Sequence, residues 1–341
     1  MADGAALICA GNNLFIERLK GELAKVFDSK DIVPVNLEVF PNREVYAQLQ
    51  ENVRRRVAFI FWNFEGYDGS FEPNVGFEWL HVLNDATRRA SASEINDMLP
   101  FIPYLRQDRK DKPRVPITAR LKARHIESDG VSRIVTVEPH TEQVQGFYDI
   151  PVDLLPFYPL FEQEIFKGGC DERYVLVAPD VGAVKRTRSF QKWIRRKRNC
   201  DIPMVIIDKG RDEKGEPSVY ELIGNPRYLE GATAILFDDM IDTGGSLVEG
   251  GQFLKEHYGA SRFKACAPHG LFSQKPGKQP AEERLRGLGM EVITTDSIPR
   301  TEDYARANEG WLKIVSLAPL FAEAARNVYA GRSISAMEGY V

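Results

Sequence analysis

The stretch TAILFDDMIDTGGSL, Thr233 to Leu247, decides how the rest of the chain is read. Thr233, Ala234, Ile235, Leu236 and Phe237 form a short apolar run bounded by turn residues, the pattern of a strand buried in a parallel sheet. Asp238 and Asp239 stand where that strand ends. Asp242, Thr243, Gly244, Gly245 and Ser246 then make a polar loop, and LVEGGQFLKEH, with Leu247, Phe253 and Leu254 on one face, predicts a helix.

Strand, small polar loop and helix together make an anion site. Backbone N–H groups at the helix start point outward, the helix dipole favours negative charge, and glycines let a phosphate come close to the backbone. The adjacent carboxylates would repel that phosphate, but they accept hydrogen bonds from vicinal hydroxyls. The ligand matching both features is a ribose 5-phosphate. Read alone, DDxxDTGG is also compatible with a solvated strand-to-helix turn capped by Asp242.

A chain of 341 residues suggests about two domains. Hydrophobic residues make up 43% and charged residues 28%, and no apolar run approaches the roughly 18 residues of a membrane helix. A net charge of -4 supplies no general attraction to nucleic acid. MADGAALICAGNN has no basic flank followed by an apolar core, so no secretory signal is expected. Cys9, Cys170, Cys200 and Cys266 lack CxxC spacing, which argues against a zinc site or a disulfide framework and for a reducing, cytoplasmic setting.

Outward from the central stretch, strand and helix alternate. ALICAG (Ala6 to Gly11) predicts a first strand, followed by helical spacing from Leu14 to Val26. LEVF (Leu37 to Phe40) is a short strand running into PNREVYAQLQENVRRR; Phe40 beside Asn42 and Glu44 could hold an adenine by stacking and hydrogen bonds. VAFIFWNF (Val57 to Phe64) is a buried strand, and a helix starts near Val75. From Met98 a strand leads into a basic loop with Arg106, Arg109, Lys110, Lys112 and Arg114. RIVTV is a strand ending at Glu138 and His140, two apart and able to face one way if the strand continues; a carboxylate and an imidazole are both cation ligands. YVLVAP precedes Asp180 and a helix carrying Lys185 and Arg186. MVIID ends in KGRDEKGEP (Lys209 to Pro217), which predicts a mobile loop with Lys209 and Arg211 at its root, a lid if it lies beside a phosphate site. FKACAPH and MEVITTD complete a sheet, and LAPLFAEAARNVYAG (Leu317 to Gly331) predicts a terminal helix.

FPNRE, YLRQDRKDKPRVPITA, HTEQVQGFYDIPVD, APDVGAVKR, DKGR, FDDMIDTGGS and HGLFS occur together, and in this order the chain resembles the ribose-phosphate pyrophosphokinase family over nearly its whole length. RQDRK with PITA and QGFYDIPVD are not expected in base phosphoribosyltransferases, which share only the sugar-phosphate loop. The resemblance implies an α/β chain of two phosphoribosyltransferase-like domains, each a mainly parallel sheet flanked by helices. Residues 1–155 would form the ATP side, with the helix 317–341 packed back on it, and residues 156–316 the ribose 5-phosphate side. It implies that Phe40, Asn42, Glu44, Arg106, Gln107 and Asp108 bind ATP, and that His140 and Asp180, with Glu138, serve Mg²⁺. Asp238, Asp239, Asp242, Thr243, Gly244, Gly245 and Ser246 would bind the sugar phosphate, and Lys209 and Arg211 would be the catalytic pair. The implied reaction moves the diphosphoryl group of ATP onto ribose 5-phosphate, in a homo-oligomer of dimers built into hexamers. A silent regulatory subunit and a base phosphoribosyltransferase are the alternative readings. The chain departs from the family pattern at Glu138 and Pro139, in the long 65–74 loop, at Gln274 and in the GRSISAM tail.

Overall fold

Apolar runs of about five residues become parallel strands, and the amphipathic segments between them become crossover helices. The computed structural model describes residues 3–170, 172–211 and 217–337, without the side chains of residues 209, 211 and 217–220. They divide into two units: one holds residues up to Pro156, Asp296–Tyr304 and the segment from Ser316, the other Phe157–Thr295 and Ala305–Val315.

The first unit runs β1 (Ala5–Cys9), α1 (Leu14–Leu23), β2 (Ile32–Val33), β3 (Val35–Val39), β4 (Val45–Leu49), β5 (Val57–Phe61), α2 (Pro73–Arg89), β6 (Glu94–Leu99), α3 (Thr118–Ser128), β7 (Arg133–Val137) and β8 (Val152–Leu155). Six strands form one parallel sheet in the order β2-β1-β5-β6-β7-β8. Ile8, Ile60, Phe64, Phe77, Leu80 and Leu99 lie in its core. Asn13 caps α1, its side-chain oxygen accepting from the N–H groups of Phe15 and Ile16 at 3.1 and 3.2 Å.

The second unit follows with α4 (Tyr158–Ile165), β9 (Tyr174–Ala178), α5 (Val184–Arg198), β10 (Met204–Arg211), β11 (Pro217–Ile223), β12 (Thr233–Phe237), β13 (Met240–Ile241), α6 (Gly245–Tyr258), β14 (Arg262–Cys266), β15 (His269–Gly270), α7 (Ala281–Gly287), β16 (Met290–Thr295) and β17 (Leu312–Val315), while α8 (Glu302–Ala307) straddles the division at Tyr304. Its sheet has the order β11-β10-β9-β12-β14-β16-β17, parallel except for the edge strand β11. The chain then returns to the first unit as α9 (Ala318–Tyr329), whose Phe321 meets Phe15 of α1 edge to face at 5.5 Å.

Several local expectations are corrected. LEVF lies in a strand as expected, but that strand pairs with its sequence neighbour as one arm of an antiparallel hairpin, β3 with β4. The strand expected from Met98 starts at Glu94, because Asn96 and Asp97 are buried within it and break the apolar run. The expected loop after Asp208 begins later, since β10 continues to Arg211 and pairs with β11; residues 212–216 of that loop lie outside the described residues. Cys170 and Cys200 form a disulfide, which the cysteine spacing had argued against. The reason is topological: β9 and β10 are parallel neighbours, so the segments entering them come together although thirty residues apart.

Candidate active site

β12 is buried along its whole length between β9 and β14. From β9 the chain crosses through α5 to β10 on one side, while β12 lies on the other. The carboxyl ends of β9 and β12 therefore flank a point where the winding reverses, the place where open parallel sheets bind ligands. Asp180 follows β9 there, and Asp238 and Asp239 follow β12.

The acid pair does not stand alone. Arg186, in the first turn of α5, puts Nη1 3.0 Å from Asp238 Oδ1 and 3.6 Å from Asp239 Oδ1. Asp238 Oδ1 also accepts from the Asp239 N–H at 2.9 Å. Burial pushes the Asp238 carboxyl well above its ordinary range, Asp239 and Asp180 push the same way, and Arg186 opposes them. Neighbouring carboxylates can thus be held together as acceptors only because a cation is built in beside them. In the sequence Arg186 is visible only as a cation on a helix. Its role depends on a contact across fifty-two positions that no local pattern reveals.

Downstream, the loop is shaped by backbone bonds. β13 pairs with β15 of the HGLFS segment, the Phe272 N–H donates to Ile241 O and the Ser273 N–H to Asp242 O, each at 3.0 Å. Arg284 of α7 donates to Thr243 O at 3.0 Å. Gly244, the residue before α6, has φ 68°, a left-handed conformation in which a Cβ is strained. Farther along α6, a Cβ on Gly251 would come within 2.6 Å of Leu288, so a bare backbone lets this helix pack close to its neighbours. Asp242, Thr243, Gly244, Gly245 and Ser246 thus form the turn into a fourteen-residue helix whose first N–H groups lack intrahelical acceptors.

Asp180 caps the short turn after β9, its Oδ1 accepting from the Ala183 N–H at 3.0 Å. Lys209 and Arg211 lie on the last residues of β10, on the far side of β9, and their side chains lie outside the described residues.

The remaining candidates belong to the first unit. Phe40, Asn42 and Glu44 sit at the exposed tip of the β3–β4 hairpin, where the Phe40 N–H donates to Glu44 O at 2.8 Å and Asn42 Oδ1 accepts from the Glu44 N–H at 3.2 Å. Phe40 stays 37% exposed, its ring against Tyr46. The tip is tied to the 65–74 loop by the Tyr67 hydroxyl, which donates to Arg43 O at 2.9 Å. That loop is anchored by Glu65, which accepts from the Asn12 N–H and the Asn13 side chain and leaves no room for a Cβ on Gly11. Arg106, Gln107 and Asp108 lie in the loop before α3, where the Thr118 hydroxyl donates to Gln107 Oε1 at 2.6 Å. Glu138 and His140 follow β7, but the strand does not continue: their φ values are 35° and 66°. The alternation argument for a shared face therefore fails, because left-handed residues do not follow the strand period. Among the described residues, no three of His, Cys, Asp or Glu converge as a metal cage.

Residues 10–130 match the family pattern for the N-terminal domain of ribose phosphate pyrophosphokinase, and residues 197–338 that of the phosphoribosyl synthetase-associated domain. The ribose-phosphate pyrophosphokinase of Fusobacterium nucleatum is 37% identical over 323 residues, covering 92% of this chain and 94% of the relative. That of Campylobacter jejuni is 37% identical over 300 residues, covering 87% and 88%. The crystal structure of phosphoribosylpyrophosphate synthetase from Mycobacterium smegmatis superposes with a TM-score of 0.80 at 33% identity, covering 96% of this chain and all of the other. The chain belongs to the ribose-phosphate pyrophosphokinase family.

Proposed function

We propose that the protein transfers the diphosphoryl group of ATP to the anomeric hydroxyl of ribose 5-phosphate, giving 5-phosphoribosyl 1-diphosphate and AMP. The observation that carries this reading is the Asp238–Asp239 pair, neutralised by Arg186 and placed directly before a phosphate-type loop at a sheet switch point. The pair and the loop together suit a ribose 5-phosphate, and the FPNRE and RQD motifs of the first unit add the nucleotide side of the reading.

In this reading Asp238 and Asp239 accept from the ribose hydroxyls, and the backbone N–H groups from Thr243 to Ser246 hold the 5-phosphate. The anomeric oxygen attacks the β-phosphorus in line, the bond from that phosphorus to the α–β bridging oxygen breaks, and AMP leaves. Such transfers rest on positioning and charge neutralisation. Lys209 and Arg211 are assigned to the charge on the transferred group on the strength of the DKGR motif. Phe40, Asn42, Glu44, Arg106, Gln107 and Asp108 are assigned to ATP by the FPNRE and RQD motifs.

The carboxylates Asp180 and Glu138 fit Mg²⁺, which favours oxygen and is held by one or two such groups plus substrate phosphates. Asp180 would hold it on the sugar side, and His140 with Glu138 on the nucleotide side. Bound there, Mg²⁺ supplies neutralisation of phosphate charge. The chain would act in the cytoplasm as a homo-oligomer; no helix of the described residues is long and apolar enough to cross a membrane.

The test is steady-state kinetics of Asp239→Asn. The reading expects the KM for ribose 5-phosphate to rise about 10-fold or more with the KM for ATP nearly unchanged, because one buried acceptor of a sugar hydroxyl is altered. A change confined to the ATP KM would overturn the assignment.

A further inference from the structure

The four cysteines fall into two classes. Cys9 and Cys266 are buried as free thiols. Burial pushes the Cys9 thiol up to about 12 and the Cys266 thiol higher still, so neither is a nucleophile near neutral pH. Cys170 and Cys200 are only partly buried and are joined to each other. They lie at the end of the sheet opposite the candidate active site, where the chain enters β9 and β10. A groove of about 400 Å³ opens beside them, lined also by Arg173, Asn199, Asp201 and Tyr228.

The ends carrying the sulfurs are clamped together independently of the disulfide. Arg198, two residues before Cys200, donates to Glu162 and, at 2.9 Å, to Phe166 O of the segment leading to Cys170. Opening the disulfide would therefore leave the two thiols close, the arrangement that lets a bond reform. In a reducing compartment a protein disulfide is usually transient rather than a permanent staple.

We propose that Cys170 and Cys200 form a reversible thiol–disulfide exchange site for a small peptide thiol of the glutathione type, admitted by the groove. In oxidation, the thiolate of one cysteine attacks the disulfide of the small molecule and forms a mixed disulfide, releasing one small thiolate. The second cysteine thiolate then attacks the protein sulfur of that mixed bond, closing Cys170–Cys200 and releasing the second small thiolate. The two protein thiols lose two electrons and two protons, and one small disulfide becomes two small thiols. Arg173 and Asn199 offer donors to a carboxylate of such a peptide, and Glu172 and Asp201 in the same lining offer acceptors to its ammonium. The closed segment, residues 170–200, contains both Asp180 and Arg186.

The experiment equilibrates the full-length protein with glutathione buffers of increasing oxidised fraction, then alkylates and maps free thiols by mass spectrometry. Cys170 and Cys200 should become protected together in one two-electron transition while Cys9 and Cys266 stay reduced. The Cys170→Ser variant should carry a single glutathione on Cys200. Reduction should lower the Tm of the wild type by roughly 5–10 °C, as expected for opening a loop of this size, and leave that of the double serine variant unchanged. The proposal is overturned if both thiols remain alkylatable in the most oxidising buffer. It is equally overturned if the double variant shows the same response to reductant.

Discussion

Replacing Arg186 by Met keeps an unbranched stem and removes the cation from the acid pair. The side chains of Arg186, Asp238 and Asp239 are 12%, 17% and 7% exposed, so solvent screens them weakly. Two unit charges about 4 Å apart interact by about 4 kcal/mol at an effective dielectric constant of about 20. Two such contacts are lost, but the variant no longer desolvates a guanidinium, and the pair can relieve itself by binding a proton. The net loss of stability should be about 2–3 kcal/mol at pH 8 and smaller at pH 5. The sign follows from linkage: Asp238 is already raised in the folded state, and losing Arg186 raises it further. Below the wild type's own raised value both folded proteins hold that proton, so the variant's extra deficit opens only as pH rises through the raised wild-type range. Urea unfolding followed by circular dichroism at both pH values measures this, with Arg186→Lys expected to recover part of the loss. A Met variant as stable as the wild type at pH 8, with the same pH slope, would refute the argument that Arg186 holds the pair together.

Asp97 is fully buried, accepts from Asn84 alone among the described residues, at 3.2 Å, and is pushed up to about 8 by burial. It stays protonated in the fold while the unfolded chain ionises, so its contribution to stability is lost progressively from about pH 4 to 8; Asp97→Asn should flatten that slope and gain about 2–4 kcal/mol at pH 8 in chemical denaturation. Gly244→Ala meets no neighbour closer than 3.5 Å, so its penalty is conformational, about 1–2 kcal/mol from the positive φ, with a raised KM for ribose 5-phosphate in initial-rate assays. Phe321→Ala removes a fully buried ring from the α1–α9 contact and should destabilise the first unit by about 3–5 kcal/mol, seen as earlier thermal unfolding. Lys209→Ala should lower kcat by about 100-fold or more without shifting the unfolding midpoint.

The elements legible in the sequence are those whose information is local. Thr233–Phe237 reads as a buried strand because the five residues are apolar or β-prone and are bounded by turns, and the chain forms the expected mainly parallel α/β sheets around it. Where buried polar side chains interrupt the pattern, as Asn96 and Asp97 do in β6, the strand start is misplaced. The β3–β4 hairpin escapes notice because its outward alternation lacks a continuous apolar run and its turn uses Arg43 at φ 71° rather than a glycine. Glu138 and His140 illustrate a different limit: β7 ends at Val137 and their backbone is left-handed, so the strand period does not extend to them. The partnership of Arg186 with the acid pair and the pairing of Cys170 with Cys200 depend on which strands are neighbours, and strand order is not written in any one segment.

The most direct test of the central claim is phosphorus NMR of a reaction containing the purified protein, ATP, Mg²⁺ and ribose 5-phosphate. The account predicts AMP and 5-phosphoribosyl 1-diphosphate in equal amounts, with both absent when the sugar phosphate is omitted. Formation of ADP in place of AMP, or of AMP without the sugar diphosphate, would contradict it.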